Sequence, residues 1–262
     1  MRIIVCAKHV FDSTEVRFNE DTKELLTVNV PVKISDYDRN ALEAAVALKE
    51  AGDDVTVEVI MSGGQAALKT LKEAVAMGAD KGYLLEGGWE TAFDPMLSMR
   101  VLARAIEAIG GADLVLCGLV SEDGYNGLTP PAVAELLGVP YLAPVVNLSA
   151  DDDTVTATMD LGDVLQTVRA PFPCVLGIDS SMNVPRLPTV LQVMKVKSDR
   201  VATLSLEDLG LPATALATEF STVTLDRLES GAAPRKALII EGSPEEAVPS
   251  LVTALEREGV LA

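Results

Sequence analysis

Four short apolar runs, each leading into a helix-period segment, constrain the fold of this chain more than any other feature. Arg2–Lys8, Val55–Met61, Gly82–Leu85 and Asp113–Gly118 are nearly continuous apolar stretches, as expected of strands buried on both faces of a parallel sheet. The first helix is predicted to begin at Ser35. Ser35 as N-cap, with Asp38 three residues on, would bring oxygen acceptors to the free N–H groups of the first turn. Leu42, Ala45, Val46 and the stem of Lys49 face the core, and Ala51-Gly52-Asp53-Asp54 ends the helix. Ser62-Gly63-Gly64 opens a second helix over 65–77 with Gly78 closing it, 95–109 forms a third and 128–137 a fourth. Strand alternating with helix, joined by short glycine-bearing loops, predicts an α/β protein. Its three layers are a mostly parallel Rossmann-like sheet and helices on both faces.

Two regions depart from that rhythm. Phe11–Val30 alternates around Asn19-Glu20-Asp21-Thr22-Lys23, a hairpin excursion. After Pro140, Val145–Leu148, Val155–Met159 and Val164–Ala170 form an antiparallel insertion before Pro173–Ile178 returns as a buried strand. Beyond Ser198 the composition loosens. Leu209-Gly210-Leu211-Pro212 is a joint, followed by a strand-like Ala237–Ile240 and a helix-like Pro244–Glu258. One strand and one helix cannot bury a core of their own, so this tail is expected to pack on another surface.

Composition excludes several classes. A formal net charge of −18 disfavours nucleic acid and anionic membrane, which need basic patches. No apolar run reaches bilayer length and the start goes straight into a strand, so no membrane insertion and no signal peptide are expected. Cys6, Cys117 and Cys174 each sit in an apolar run without metal-ligand spacing, as small core residues in a reducing cytoplasm. The single histidine, His9, ends the first strand with no nucleophile motif in view. No catalytic residue and no metal site is expected.

In open α/β sheets, ligands bind beyond the carboxyl ends of the strands. That rule nominates Ala7-Lys8-His9, Ser35–Asp38, Ser62-Gly63-Gly64 and Gly118–Pro131. The last is long, rich in residues that tolerate positive φ, and has Thr129 at a helix start.

Several strings then resemble one family. Cys6-Ala7-Lys8, Val16-Arg17, Asn40–Ala45, Ala76-Met77-Gly78-Ala79-Asp80 and Asp113–Gly118 with Asp123-Gly124 are similar to the beta subunit of electron-transfer flavoproteins. So are Asn183–Thr189 and Met194-Lys195-Val196-Lys197. The similarity runs in unbroken order from residue 1 to about 212. It implies an adenine nucleotide in the strand-end crevice, AMP or a second FAD, with the redox FAD chiefly in an absent alpha subunit. By position its contacts would be Cys6, Ala7, Ser35, Asp36, Tyr37, Asp38, Ser62, Gly63, Gly118, Ser121, Asp123, Gly124, Tyr125, Asn126, Gly127, Leu128, Thr129 and Pro130. It further implies a nucleotide- or flavin-binding domain over 1–198 and a C-terminal arm over 199–262 packing on the alpha subunit. A recognition loop for dehydrogenases and electron acceptors would contain Pro185, Arg186, Leu187, Val190 and Met194. Val190 stands where members carry an anchoring leucine.

The nucleotide loop departs from the family's Asp-Gly-Asp-Thr-x-Gln-x-Gly. Tyr125 replaces an acidic residue, Leu128 an amide and Pro130 a glycine, which removes one N–H donor. Leu119 and Val120 replace a lysine and a glutamine, and Ser35-Asp36-Tyr37 stands for Asn-Pro-Phe. Tyr37 and Tyr125 are candidates to stack on a ring. These departures bear on the ligand, and the Asn40–Glu43 helix, similar to members from anaerobes, favours FAD and electron bifurcation. Two other classes stay open. One is a free-standing adenine-nucleotide sensor of universal-stress-protein type, and the other a hydrolase or transferase using Glu122 or Asp123 as base.

Overall fold

The computed structural model describes residues 1–19, 21–22, 24–86, 94–211 and 237–261. Glu20 and Lys23 of the expected hairpin, Pro212 of the expected joint and residues 212–236 of the expected arm lie outside them. Contacts divide the chain into two units, Met1–Leu228 and Glu229–Ala262.

In the first unit the apolar runs become strands. β1 (Arg2–Phe11), β5 (Thr56–Ser62), β6 (Lys81–Glu86), β7 (Leu114–Gly118) and β11 (Cys174–Ile178) run parallel, with β12 (Val201–Ser205) added in parallel beside β6. β8 (Tyr141–Ala150) pairs in parallel with β11 and then turns back through β9 (Thr154–Asp160) and β10 (Leu165–Pro171), both antiparallel. The path across the sheet is β10-β9-β8-β11-β7-β1-β5-β6-β12, with β4 (Val32–Ile34) antiparallel to β1. The excursion after β1 forms the two-stranded ribbon of β2 (Arg17–Phe18) and β3 (Leu25–Leu26).

Strand alternation assigns the two sheet faces. Ile3, Val5, Val57, Val59, Leu114 and Leu116 point to α1 (Asp36–Ala51) and α2 (Leu68–Met77). Ile4, Cys6, Ile60, Val115 and Cys117 point to α3 (Pro95–Ala108) and α4 (Thr129–Leu137). Both faces are thus covered, so the central strands read as unbroken apolar runs. The order places β5 and β6 on one side of β1 and β7 on the other. The topological switch point falls between β1 and β7, at the ends of Lys8 and Gly118. The expected second helix starts as a 3₁₀ turn over Gly64–Ala67, and α2 proper begins at Leu68. Beyond α5 (Val190–Met194), Leu206, Leu209 and Leu211 are buried in the α3-side core.

In the second unit α6 (Pro244–Arg257) has the Glu246 carboxylate accepting the Ser243 N–H at 3.1 Å. The Ala237–Ile240 run, expected to be a strand, is irregular, and Leu238 and Ile239 are exposed. A strand exists only through its ladder, and this run pairs with none among the described residues. No described helix is long and apolar enough to cross a membrane.

Candidate functional site

At the switch point a small crevice of about 90 Å³ opens between the ends of β1 and β7. Its floor is apolar: Cys6, Ala7, Cys117 and Leu102. Its rim is polar, with Lys8, Ser62, Ser98, Ser121, Asn126 and Thr129. An apolar floor with a few convergent polar groups is the usual composition of a small-molecule site. A larger cavity of about 450 Å³ lies on the outer faces of α3 and α4 beside Leu211. Its lining mixes apolar side chains with Arg100, Arg104 and Glu107 and takes no described residue from the strand-end loops that build the switch-point crevice.

Asp38 joins the two walls. Its carboxylate accepts the Lys8 N–H at 2.8 Å and the Gly118 N–H at 3.0 Å, tying the end of β1 to the end of β7. The side chain is 6% exposed. Burial raises its pKa to about 7, against the two N–H bonds and the Lys8 charge, which work to lower it. Gly118 is required by this contact. A Cβ there would lie 2.5 Å from Asp38 Oδ1 and 2.8 Å from the Asp38 nitrogen. Asp38 therefore does not cap its own helix, contrary to the sequence expectation. Ser35 does not cap it either, since its buried Oγ has no hydrogen-bond partner. The acceptor at the start of α1 comes from elsewhere: Glu122 Oε2 takes the Asp36 N–H at 3.2 Å, and Lys33 pairs with Glu122 at 3.1 Å.

The loop after β7 is bound mostly to itself and to β1. Asp123 pairs with Lys8 at 2.7 Å and accepts Ser121 Oγ at 2.8 Å and the Gly124 N–H at 2.7 Å. Burial works to raise this carboxyl, but the Lys8 charge and these hydrogen bonds hold it below its usual range. Asn126 Oδ1 accepts the Leu128 N–H at 2.9 Å. Thr129 is the first residue of α4 and makes no side-chain cap. Pro130 and Pro131 follow it and have no N–H to offer.

Of the residues expected at the site, the crevice gathers Cys6, Ala7, Asp38, Ser62, Gly118, Ser121, Asn126, Gly127, Thr129 and Pro130. Ser35, Asp36, Tyr37, Gly63, Asp123, Gly124, Tyr125 and Leu128 lie around it without lining it. Gly63, at φ 138°, makes a tight turn where a Cβ would meet that of Ala67 at 2.8 Å. Tyr37 and Tyr125 meet each other, edge to face at 6.3 Å with hydroxyls 3.2 Å apart. Pro95, Ser98, Leu102 and Cys117 line the crevice and were not anticipated. The four-residue step from Ser98 to Leu102 on one face of α3 is the signal that could have found that pair.

His9 faces Thr70, its Nδ1 2.9 Å from Oγ1, and burial lowers its pKa. The Cys117 thiol is raised well above its usual value by its hydrogen bond with Cys6 and by burial. The three cysteines are free and buried, and no group of three metal-ligating side chains occurs among the described residues.

The expected recognition segment is a separate surface. Arg186 is clamped by Glu43 at 2.9 Å and Glu50 at 2.6 Å, both on α1. Asn183 and Asn40 exchange side-chain hydrogen bonds with each other's main chain. Thr189 and Gln192 form a capping box on α5. So braced, the segment leaves Val184, Leu187, Val190, Leu191 and Met194 exposed, each by 67% or more.

Sheet order defines an α/β protein of Rossmann-like type, with a candidate site at the switch point. Residues 23–209 match the electron transfer flavoprotein domain. The chain is 32% identical over 263 residues, 100% of both chains, to the electron transfer flavoprotein subunit beta of Thermoanaerobacterium thermosaccharolyticum. It is 32% identical over 210 residues, 78% of each chain, to the subunit of that name from Megasphaera elsdenii. To the caffeyl-CoA reductase-Etf complex subunit CarD of Acetobacterium woodii it is 29% identical over 262 residues, again 100% of both. The chain belongs to the electron-transfer flavoprotein family, among its beta subunits.

Proposed function

We propose that this chain is the beta subunit of a heterodimeric electron-transfer flavoprotein, working in the cytoplasm. It holds the adenylate part of AMP or of a second FAD in the switch-point crevice. With an alpha subunit that carries the redox FAD, it passes electrons from dehydrogenases to downstream acceptors. The observation that carries this reading is the crevice itself, apolar below and hydroxyl-rich above, at the position where doubly wound sheets take ligands.

The lining residues fit an adenylate. Cys6, Ala7 and Leu102 offer an apolar bed for a purine, and Ser62, Ser121, Asn126 and Thr129 offer hydroxyl and amide partners for ribose and phosphate. The enclosed volume of about 90 Å³ is below the roughly 300 Å³ at which small-molecule pockets begin. One end of the nucleotide would thus be enclosed and the rest would lie along the open rim. When bound, a flavin accepts and donates electrons. The protein's own groups bind and orient it, a task that requires no nucleophile or general base. The exposed apolar segment Val184–Met194 would meet the dehydrogenase, and the C-terminal arm would pack on the alpha subunit.

Co-expression with the alpha subunit, acid extraction and chromatographic counting of FAD and AMP test the reading. A yellow heterodimer with one FAD and one AMP, or with two FAD, is expected. Two FAD per heterodimer would support electron bifurcation. A colourless chain that stays monomeric beside the alpha subunit would sink the reading.

A further inference from the structure

The loop after β7 carries two consecutive carboxylates beside the crevice, and they differ in exposure. Glu122 is 14% exposed and has three donors: Lys33 at 3.1 Å, the Asp36 N–H at 3.2 Å and Ser13 Oγ at 3.4 Å. Asp123 also has three donors, Lys8, Ser121 Oγ and the Gly124 N–H, but it is 42% exposed and its charged partner among the described residues, Lys8, is itself 46% exposed. An ion pair that open to water is weak and readily exchanged.

Among the described residues, Lys8 is the single cationic residue in the crevice lining. The main-chain donors at the start of α4 are occupied or missing. Pro130 and Pro131 have no N–H, the Leu128 N–H is bonded to Asn126, and the Ala132 N–H to the Leu128 carbonyl. In a chain of net charge −18, an anion approaching this rim has Lys8 as its one attractive charge there.

We propose that Asp123 stands in for a ligand phosphate: an adenine nucleotide entering the crevice takes Lys8 from Asp123, and Lys8 becomes the phosphate anchor. This rests on the adenylate reading above. A phosphate group brings more charge and more oxygen acceptors than the carboxylate it replaces. Glu122 remains in place as the loop's fixed point, because its three donors lie outside the crevice lining. The exchange also accounts for an acidic side chain beside an anion's path, where it would otherwise only repel.

Calorimetric titration of the full chain with AMP and with adenosine tests the exchange, since the two differ only in the phosphate. Asp123→Asn is expected to raise the AMP-to-adenosine affinity ratio about two- to fivefold, the worth of an exposed ion pair removed as competitor. Lys8→Met is expected to lower that ratio roughly tenfold, the worth of a charge-assisted hydrogen bond. A ratio that falls in Asp123→Asn, or holds in Lys8→Met while the variant melts like the parent, overturns the proposal. If neither AMP nor adenosine binds the parent chain, the adenylate reading itself has failed. The exchange is then read separately from the ¹⁵N signal of the Lys8 ammonium. Displacement of that signal by pyrophosphate, smaller in full than what Asp123→Asn allows, sustains it, and no displacement in either protein overturns it.

Discussion

Two surface segments of this protein, the loop after β7 and the stretch around α5, are similarly rich in turn-forming residues and are built to opposite ends. In the first, side-chain oxygens turn inward, Asp123 to Lys8 and Asn126 to its own loop, and Asp38 of α1 fastens the loop's start by bonding the Gly118 and Lys8 N–H groups. A concave, polar-rimmed space results. In the second, the polar bonds are directed at α1 through Arg186 and Asn183, so the apolar side chains are left outside. A braced backbone with outward Leu187, Val190 and Met194 is suited to a flat protein partner, because its ordering cost is met before contact. The lesson is that a loop's polar side chains decide whether it becomes a pocket or a platform.

The largest expected effect tests the inward-facing side. Asp38→Ala leaves the Lys8 and Gly118 N–H groups unpaired in a buried place and should cost about 2–5 kcal/mol, read by urea denaturation at pH 7. A loss under about 1 kcal/mol would mean that the strand ends are not held by this carboxylate. pH sharpens the test. Because Asp38 titrates near 7 when folded against 3.8 as a free side chain, the folded state binds the proton more tightly. Its contribution is fully present below about pH 4 and is lost as pH rises through about 7. Asp38→Asn should therefore show a flatter fall in stability across that window than the parent. Equal slopes would contradict a burial cost that outweighs the two N–H bonds and the Lys8 charge.

How far these two segments could be read from sequence differs for a physical reason. The apolar runs of β1, β5, β6 and β7 announce themselves locally, and so do the acidic turns bounding β8, β9 and β10. Asp38 was legible as a helix-start residue. Its bonds reach residues 30 and 80 positions away, and no local pattern encodes that distance. Lys8 was placed at a strand end, and its pairing with Asp123 spans 115 positions. Ala237–Ile240 teaches the converse: β propensity with no partner strand among the described residues gives no strand there. The outward segment was easier, since proline-spaced apolar residues with a capping threonine need no distant partner to be recognised.

Smaller effects test the outward side. Arg186→Met strips Glu43, which is 13% exposed, of its charge-assisted bonds and should lower stability by about 1 kcal/mol. The Glu50 contact is open to water and should contribute little to that loss. Thr189→Ala removes the cap of a five-residue helix, and about 0.5–1 kcal/mol is expected. In both cases denaturant midpoints give the value. Loss of dehydrogenase coupling beyond what the fraction unfolded explains would show that the bracing, and not only the fold, serves docking.

The smallest effect on stability separates platform from pocket most cleanly. Val190 is 75% exposed, so Val190→Asp should change stability by less than about 0.5 kcal/mol. If the segment is a partner surface, the same change places an unpaired charge at the centre of an apolar contact. Electron delivery from the dehydrogenase should then fall at least tenfold, with flavin content untouched. Flavin loss in Val190→Asp would mean that the two segments share one function, and intact coupling would mean that the exposed valine is only a solvated spacer between prolines.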